Sequence, residues 1–164
     1  MDGLHRQIVD LLPRLRRLAR VLSRDPADAD DLVQATVERA LIHREQWRPG
    51  TRLDSWMFRI MKNAWIDESR SRSRRGRVFA PEEQGETVGS DGAAAMDARL
   101  IAADISRAMA RLPDEQRLAV ALVLVEGLSY KEAADVLEVP QGTLTSRLVR
   151  GRMALLADLQ GDAA

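Results

Sequence analysis

Apolar residues recur at three- and four-residue intervals through most of the chain, the period of one face of an α-helix. The first run places Leu4, Ile8, Leu11, Leu12, Leu15, Leu18, Ala19 and Leu22 on one side, which predicts a helix over residues 4–23. Asp25-Pro26 then supplies an N-cap and a first-position proline, while Asp28, Asp30 and Asp31 complement the positive end of a helix dipole. That helix is expected to reach about Glu45, with Pro49-Gly50 closing the connection after it. A third helix is expected over residues 54–72.

Between residues 76 and 95 the pattern fails. Pro81, Gly85, Gly89 and Gly92 punctuate a stretch with three Glu and little apolar content, which reads as a flexible acidic linker. Beyond it, helices are expected over 96–111 and 114–125, separated by Leu112-Pro113, with Gly127 closing the second. Ser129 and Glu132 have capping-box spacing and open a short helix to Leu137. Pro140-Gln141-Gly142-Thr143 begins the last, which reaches about Leu159. No strand-type alternation occurs. The expected fold is all-α: two small helical domains, residues 1–75 and 96–164, joined by a tether over 76–95.

Composition narrows the class. Apolar residues make up 45% and charged residues 30% of the 164, as in a globular protein rather than a disordered one. With no Cys, a disulfide scaffold and a cysteine-ligated zinc or iron–sulfur site are excluded. His5 and His43 are isolated and the carboxylates sit at helix starts, so an enzyme is the least favoured class. Neither a signal-peptide run nor an apolar stretch of about 20 residues is present, so a cytoplasmic protein without membrane insertion is expected.

Net charge is zero, 25 basic against 25 acidic side chains, which argues against a uniformly basic nucleic-acid coat. The balance is uneven along the chain. Residues 47–79 hold nine basic and three acidic side chains, net +6, and residues 80–99 hold one and five, net −4. The same basic segment contains Trp47, Trp56, Trp65, Phe58 and Phe79; of the aromatics only Tyr130 lies outside it. Cations interleaved with aromatics suit single-stranded nucleic acid, because cations track phosphates while exposed rings stack on bases. On a helix, Met57, Ile60, Met61 and Ala64 share the core side, and Arg59, Lys62, Asn63 and Ile66 form the opposite stripe. Trp65 and Met61 are expected in the core, whereas Trp56 and Trp47, near Arg52 and Arg48, suit either core or strand contact.

Ser129–Gly151 has the spacing of a helix-turn-helix: Ala133 and Ala134 permit close approach, and Leu137, Val139, Leu144 and Leu148 make a small core. The second helix then presents Thr145, Ser146, Val149 and Arg150 outward, where this motif contacts base edges in the major groove. Arg147 and Arg152 suit phosphates, and Arg150 suits a bidentate guanine contact. Glu138 stands where the turn commonly carries Gly. Either it is left-handed, at a strain of about 1–2 kcal/mol, or the turn differs slightly.

A basic-aromatic helix and a helix-turn-helix on a short tether suggest two separate DNA contacts. The chain resembles the extracytoplasmic-function sigma factors, minimal sigma subunits of bacterial RNA polymerase, over roughly residues 8–70 and 98–157. Four stretches carry the resemblance: residues 30–36 (DDLVQAT), 55–67 (SWMFRIMKNAWID), 112–117 (LPDEQR) and 142–152 (GTLTSRLVRGR). The resemblance implies a sigma factor that binds core polymerase, directs promoter recognition and assists strand opening, with stress-response genes as its targets. It implies that Asp30, Asp31, Gln34 and Arg39 dock on the clamp helices of the polymerase's largest subunit. By the same resemblance, the loop from Arg48 to Arg52 captures a flipped minus-ten base, and Asn63 with Arg59, Lys62 and Trp56 holds the melted strand. The helix-turn-helix then reads the minus-thirty-five element, although many relatives carry a basic residue where Thr145 stands. The linker would thread the polymerase cleft. No cofactor is implied, the catalytic magnesium belonging to the polymerase, and an anti-sigma protein is an implied partner.

Two other readings compete. A repressor using only the helix-turn-helix leaves the Trp-rich basic helix and residues 30–36 unexplained. A sigma-like mimic that titrates an anti-sigma protein predicts loss of base-facing polar residues, yet Asn63, Ser146 and Arg150 are present.

Overall fold

The computed structural model describes residues 3–74 and 93–162, and among these every regular element is helical. Seven α-helices follow in order: α1 (Gly3–Leu22), α2 (Pro26–Ile42), α3 (Leu53–Arg74), α4 (Ala93–Arg111), α5 (Asp114–Val120), α6 (Tyr130–Leu137) and α7 (Gln141–Asp162). The start signals act as expected. Asp25 is extended and accepts a hydrogen bond from Ala27 N–H at 2.9 Å, with Pro26 at the first helical position. Ser129 and Glu132 form both arms of the capping box of α6.

Three boundaries depart from the periodicity. α2 stops at Ile42, not Glu45, because Gln46 and Trp47 N–H donate only three residues back, to His43 and Arg44, giving one tight 3₁₀ turn. The helix expected over 114–125 ends at Val120 and widens into a π turn over Ala121–Val125, where Glu126 N–H reaches Ala121 O at 2.9 Å. The extra residue leaves Leu124 and Val125 exposed and buries Glu126. α4 begins at Ala93, so the last three residues assigned to the linker are helical. Residues 75–92, including most of the acidic tether, Arg75, Arg77 and Phe79, lie outside the described residues.

α1, α2 and α3 form one bundle around Leu15, Leu18, Leu32, Met57, Phe58 and Met61, all essentially sealed from solvent. α4 to α7 form the second, around Val120, Leu122, Val136 and Leu144. The tethered picture leaves out how these bundles meet. α1 lies on α4 and on the π turn, and α3 lies on α6, so the buried apolar residues make one continuous cluster. Charges bridge the seam. The fully buried Glu126 carboxylate accepts from Arg17 at 2.8 and 2.9 Å and from Arg14 at 3.3 Å, and Arg14 continues to Asp54 at 3.0 Å. Arg117 donates to Met109, Ala110 and Leu112 carbonyls within its own bundle, reaches Leu22 O of the other at 3.3 Å, and lies over the Trp65 ring.

Candidate nucleic-acid and polymerase interfaces

On α2, the spacing after the Asp25 cap turns Ala29, Leu32, Val33 and Thr36 inward and leaves Asp30, Asp31 and Gln34 exposed. Arg39, two turns on, is half-buried and pairs with Asp67 of α3 at 3.2 Å. The four residues expected at the polymerase thus separate into three free side chains and one braced arginine. The Arg39–Asp67 pair ties the outer edge of α2 to α3.

The loop before α3 is built by Pro49-Gly50, with Gly50 at φ 91°, and by Thr51, whose hydroxyl donates to Arg48 O at 2.6 Å. Arg48 stands exposed at its tip. Arg52 is exposed as well but not free: it grips Asp54 at 2.6 and 3.1 Å and also pairs with Glu132 of α6. Burial alone would raise the Asp54 carboxyl, but hydrogen bonds from Arg52, Arg14 and Ser55 N–H overcome that and hold it below its ordinary value. Trp47 and Trp56 pack half-buried on the core, and Trp65 is buried, so the rings are mostly structural.

The α3 stripe is only partly open. Asn63 is exposed. Arg59 donates to Asp135 O at 2.9 Å and faces the Glu138 carboxylate at 3.7 Å. Lys62 is 6% exposed, which corrects its expected place on a solvent stripe: α6 covers that side of α3. Burial lowers the Lys62 ammonium, Glu138 raises it, and Arg59 lowers it further, leaving it below its usual range.

In the second bundle the motif's geometry holds. Leu137, Leu144 and Leu148 are buried with Ala133 and Ala134, and Val139 packs on them. Glu138 is left-handed at φ 58°, ψ 45°, the first of the two options its sequence position left open. Val139 N–H closes the turn onto Ala134 O at 3.1 Å. On α7, Ser146, Val149, Arg150 and Arg152 are exposed. Thr145 is half-buried and spends its hydroxyl on Gln141 O at 2.9 Å, within its own helix. Arg147 faces Glu115 of α5 at 3.6 Å, so it braces α7 as well as lying near the surface. The exposed side of α7 is held by packing on α5.

Sequence reasoning missed the seam residues Arg14, Arg17, Arg117, Asp54 and Glu126. Their pairings join positions up to 112 apart in sequence, and no local pattern marks them. A groove of about 760 Å³ also runs along the seam, walled by Pro13, Val21, Ile105, Met109, Leu124 and Leu155 and edged by Arg16, Arg17 and Arg20. Among the described residues no group of His, Asp and Glu is arranged to hold a metal ion, and no helix is long and apolar enough to cross a membrane.

Two helical bundles, one with a helix-turn-helix whose second helix has an open outer side and one with a cation-lined helix, define a DNA-binding transcription protein. Residues 8–75 match Sigma-70 region 2 and residues 102–155 match Sigma-70 region 4. The chain is 36% identical to an ECF RNA polymerase sigma factor, EcfG, of Rhodopseudomonas palustris, over 99% of this chain and 88% of that protein. It is 39% identical to the ECF sigma factor SigE of Mycolicibacterium smegmatis, over 94% of this chain and 59% of that longer protein. Its fold superposes with TM-score 0.84, at 28% identity and 98% coverage of both chains, on the sigma factor RpoE of Bartonella quintana, solved with the anti-sigma factor NepR. The chain belongs to the ECF family of RNA polymerase sigma factors, whose members are transcription initiation factors rather than enzymes.

Proposed function

We propose that this ECF sigma factor directs core RNA polymerase to promoters through two DNA contacts, one on each bundle, and works in the cytoplasm beside the polymerase. The observation that carries the reading is the division of cations and polar side chains. Arg48, Arg52, Arg59, Lys62 and Asn63 gather at the start and one side of α3, and Ser146, Val149, Arg150 and Arg152 on one side of α7. Residues 1–75 bind the polymerase through Asp30, Asp31 and Gln34 and hold the melted minus-ten strand. Residues 96–164 read the minus-thirty-five duplex, and residues 76–95 join them. Trp56, half-buried, contributes to the α3 wall more than to stacking.

The roles follow from the surfaces. A duplex reader needs side chains that reach base edges without rearrangement, and Ser146 and Arg150 stand free to do so. A strand holder needs donors and cations along one line, which α3 supplies. Thr145, with its hydroxyl already engaged, contributes a methyl surface rather than a donor. An anti-sigma partner suits the seam groove: apolar walls from both bundles and the edge of Arg16, Arg17 and Arg20 fit an amphipathic helix with acidic flanks.

Footprinting with reconstituted polymerase tests the division. Wild-type protein is expected to protect two upstream patches and make one strand of the downstream patch permanganate-reactive. Asn63→Ala should keep both protections and lose reactivity, whereas Arg150→Ala should thin the upstream patch. A single protected patch, unchanged by either variant, would overturn the two-contact reading.

A further inference from the structure

We propose that the acidic face of α6 is an internal latch, which in the chain without polymerase occupies the α3 cations that the melted strand would take. The inference rests on the assignment of α3 to that strand. Glu132, Asp135 and Glu138 fall at three-residue spacing and so share one side of α6 and its cap. Arg52, Arg59 and Lys62 lie along the facing side of α3. The pairing is specific: Glu132 meets Arg52, the Asp135 carbonyl accepts from Arg59 at 2.9 Å, and the Glu138 carboxylate faces Arg59 at 3.7 Å. Lys62 is buried beneath the same contact. Three of the five cationic or polar groups assigned to the minus-ten strand are thus engaged by the chain's own second bundle.

Glu138 is the informative residue. The turn of the helix-turn-helix needs a left-handed backbone at this position, which glycine adopts freely and other residues adopt only under strain. The backbone bonds that close the turn, Glu138 N–H to Asp135 O and Val139 N–H to Ala134 O, ask nothing of the side chain. What the glutamate adds is a carboxylate aimed at Arg59. The latch also has a direction. Ser146, Val149 and Arg150 remain exposed in the closed arrangement, so it covers the strand-holding face and leaves the duplex-reading face open.

The chain has no Cys, so His43→Cys and Ala157→Cys, both at exposed positions, give a spin-label pair that reports the separation of the bundles by double electron–electron resonance. Wild-type protein is expected to show one dominant distance, that of the closed arrangement and shorter than in the opened chain. Glu132→Gln with Glu138→Gln, and Glu138→Gly alone, should raise the population at longer distance, roughly fivefold for exposed pairs of this kind. Affinity for a short dye-labelled single-stranded oligonucleotide should rise in parallel. Glu138→Gly separates latch from fold, because glycine suits the turn: its thermal midpoint should stay level or increase while the longer-distance population grows. Arg59→Glu with Glu138→Arg should restore the short distance. The latch is overturned if the acid variants keep the wild-type distances, or if they open without any gain in oligonucleotide binding. Transcription with core polymerase distinguishes this from failure of the promoter reading, which would leave wild type and variants alike without a promoter-specific transcript.

Discussion

Gly151 sits inside α7 where the reading helix crosses α5, and replacing it with Ala sets two effects of opposite sign against each other. In an exposed helix interior the change would stabilise by about 1 kcal/mol, through backbone entropy and better propensity. Here an added Cβ would lie 2.8 Å from Val120 Cγ2, 3.2 Å from Gln116 Cβ and 3.3 Å from Gln116 O. Val120 is 2% exposed and the carbonyl belongs to a packed helix, so neither can yield without moving α5 or α7. Overpacking of this kind costs roughly 1–3 kcal/mol, which exceeds the propensity gain. A net loss of up to about 2 kcal/mol predicts a thermal midpoint lower by up to roughly 8 °C for a chain of this size. Because Ser146 and Arg150 ride on the same helix, duplex affinity should fall with it. Circular dichroism melts of Gly151→Ala, Val120→Ala and the double variant test this: the double variant should be more stable than the two single losses predict, since Val120→Ala vacates the clashing methyl. A Gly151→Ala protein more stable than wild type would refute the close-approach argument.

Other expectations follow from the same contacts. Arg150→Ala should cost ~1–3 kcal/mol of promoter binding at one base pair and relax discrimination there, measured by competition with single-base promoter variants. Glu126→Gln should lower the urea midpoint by an amount equivalent to about 1–3 kcal/mol. The loss stays at that scale because Arg14 and Arg17, 30% and 51% exposed, can turn to water. An unchanged midpoint would remove the seam pair from the stability account. Asp54 and Glu132 both titrate below their ordinary values of 3.8 and 4.5, Glu132 because the Ser129 backbone and side chain hydrogen-bond its carboxylate. A carboxyl lowered on folding stabilises above its unfolded value and loses that contribution as pH falls through the folded one. Seam stability should therefore hold at neutral pH and decline below about pH 4, and Asp54→Asn should flatten that decline in a urea-midpoint series.

Much of the fold was legible because it is locally encoded. The Asp25-Pro26 start, the Ser129–Glu132 box and the left-handed Gly127 each act within one turn of helix, and each stands where the residues imply. The apolar face of α1 was likewise readable from spacing alone. The π turn was not, since one extra residue within an apolar run leaves periodicity almost unchanged. The seam was not legible either. Lys62 reads as a solvent-facing cation by its place on the helix, and only the arrival of α6 against α3 buries it. Glu126 reads as an ordinary end to an apolar helix until the π turn swings it onto Arg14 and Arg17. The charge pattern did carry a hint: the acids at 132, 135 and 138 share one side of a helix, as do the cations at 52, 59 and 62. Pairing the two stripes, however, requires knowing that the bundles touch.

Run-off transcription with purified core polymerase on a panel of promoter fragments tests the central claim most directly. Transcripts should start at defined sites only when this protein is added, disappear with Asn63→Ala at a promoter that is still bound, and weaken with Arg150→Ala. Stable binding to core polymerase without any promoter-specific transcript above core alone would contradict the account and favour a sigma-like mimic.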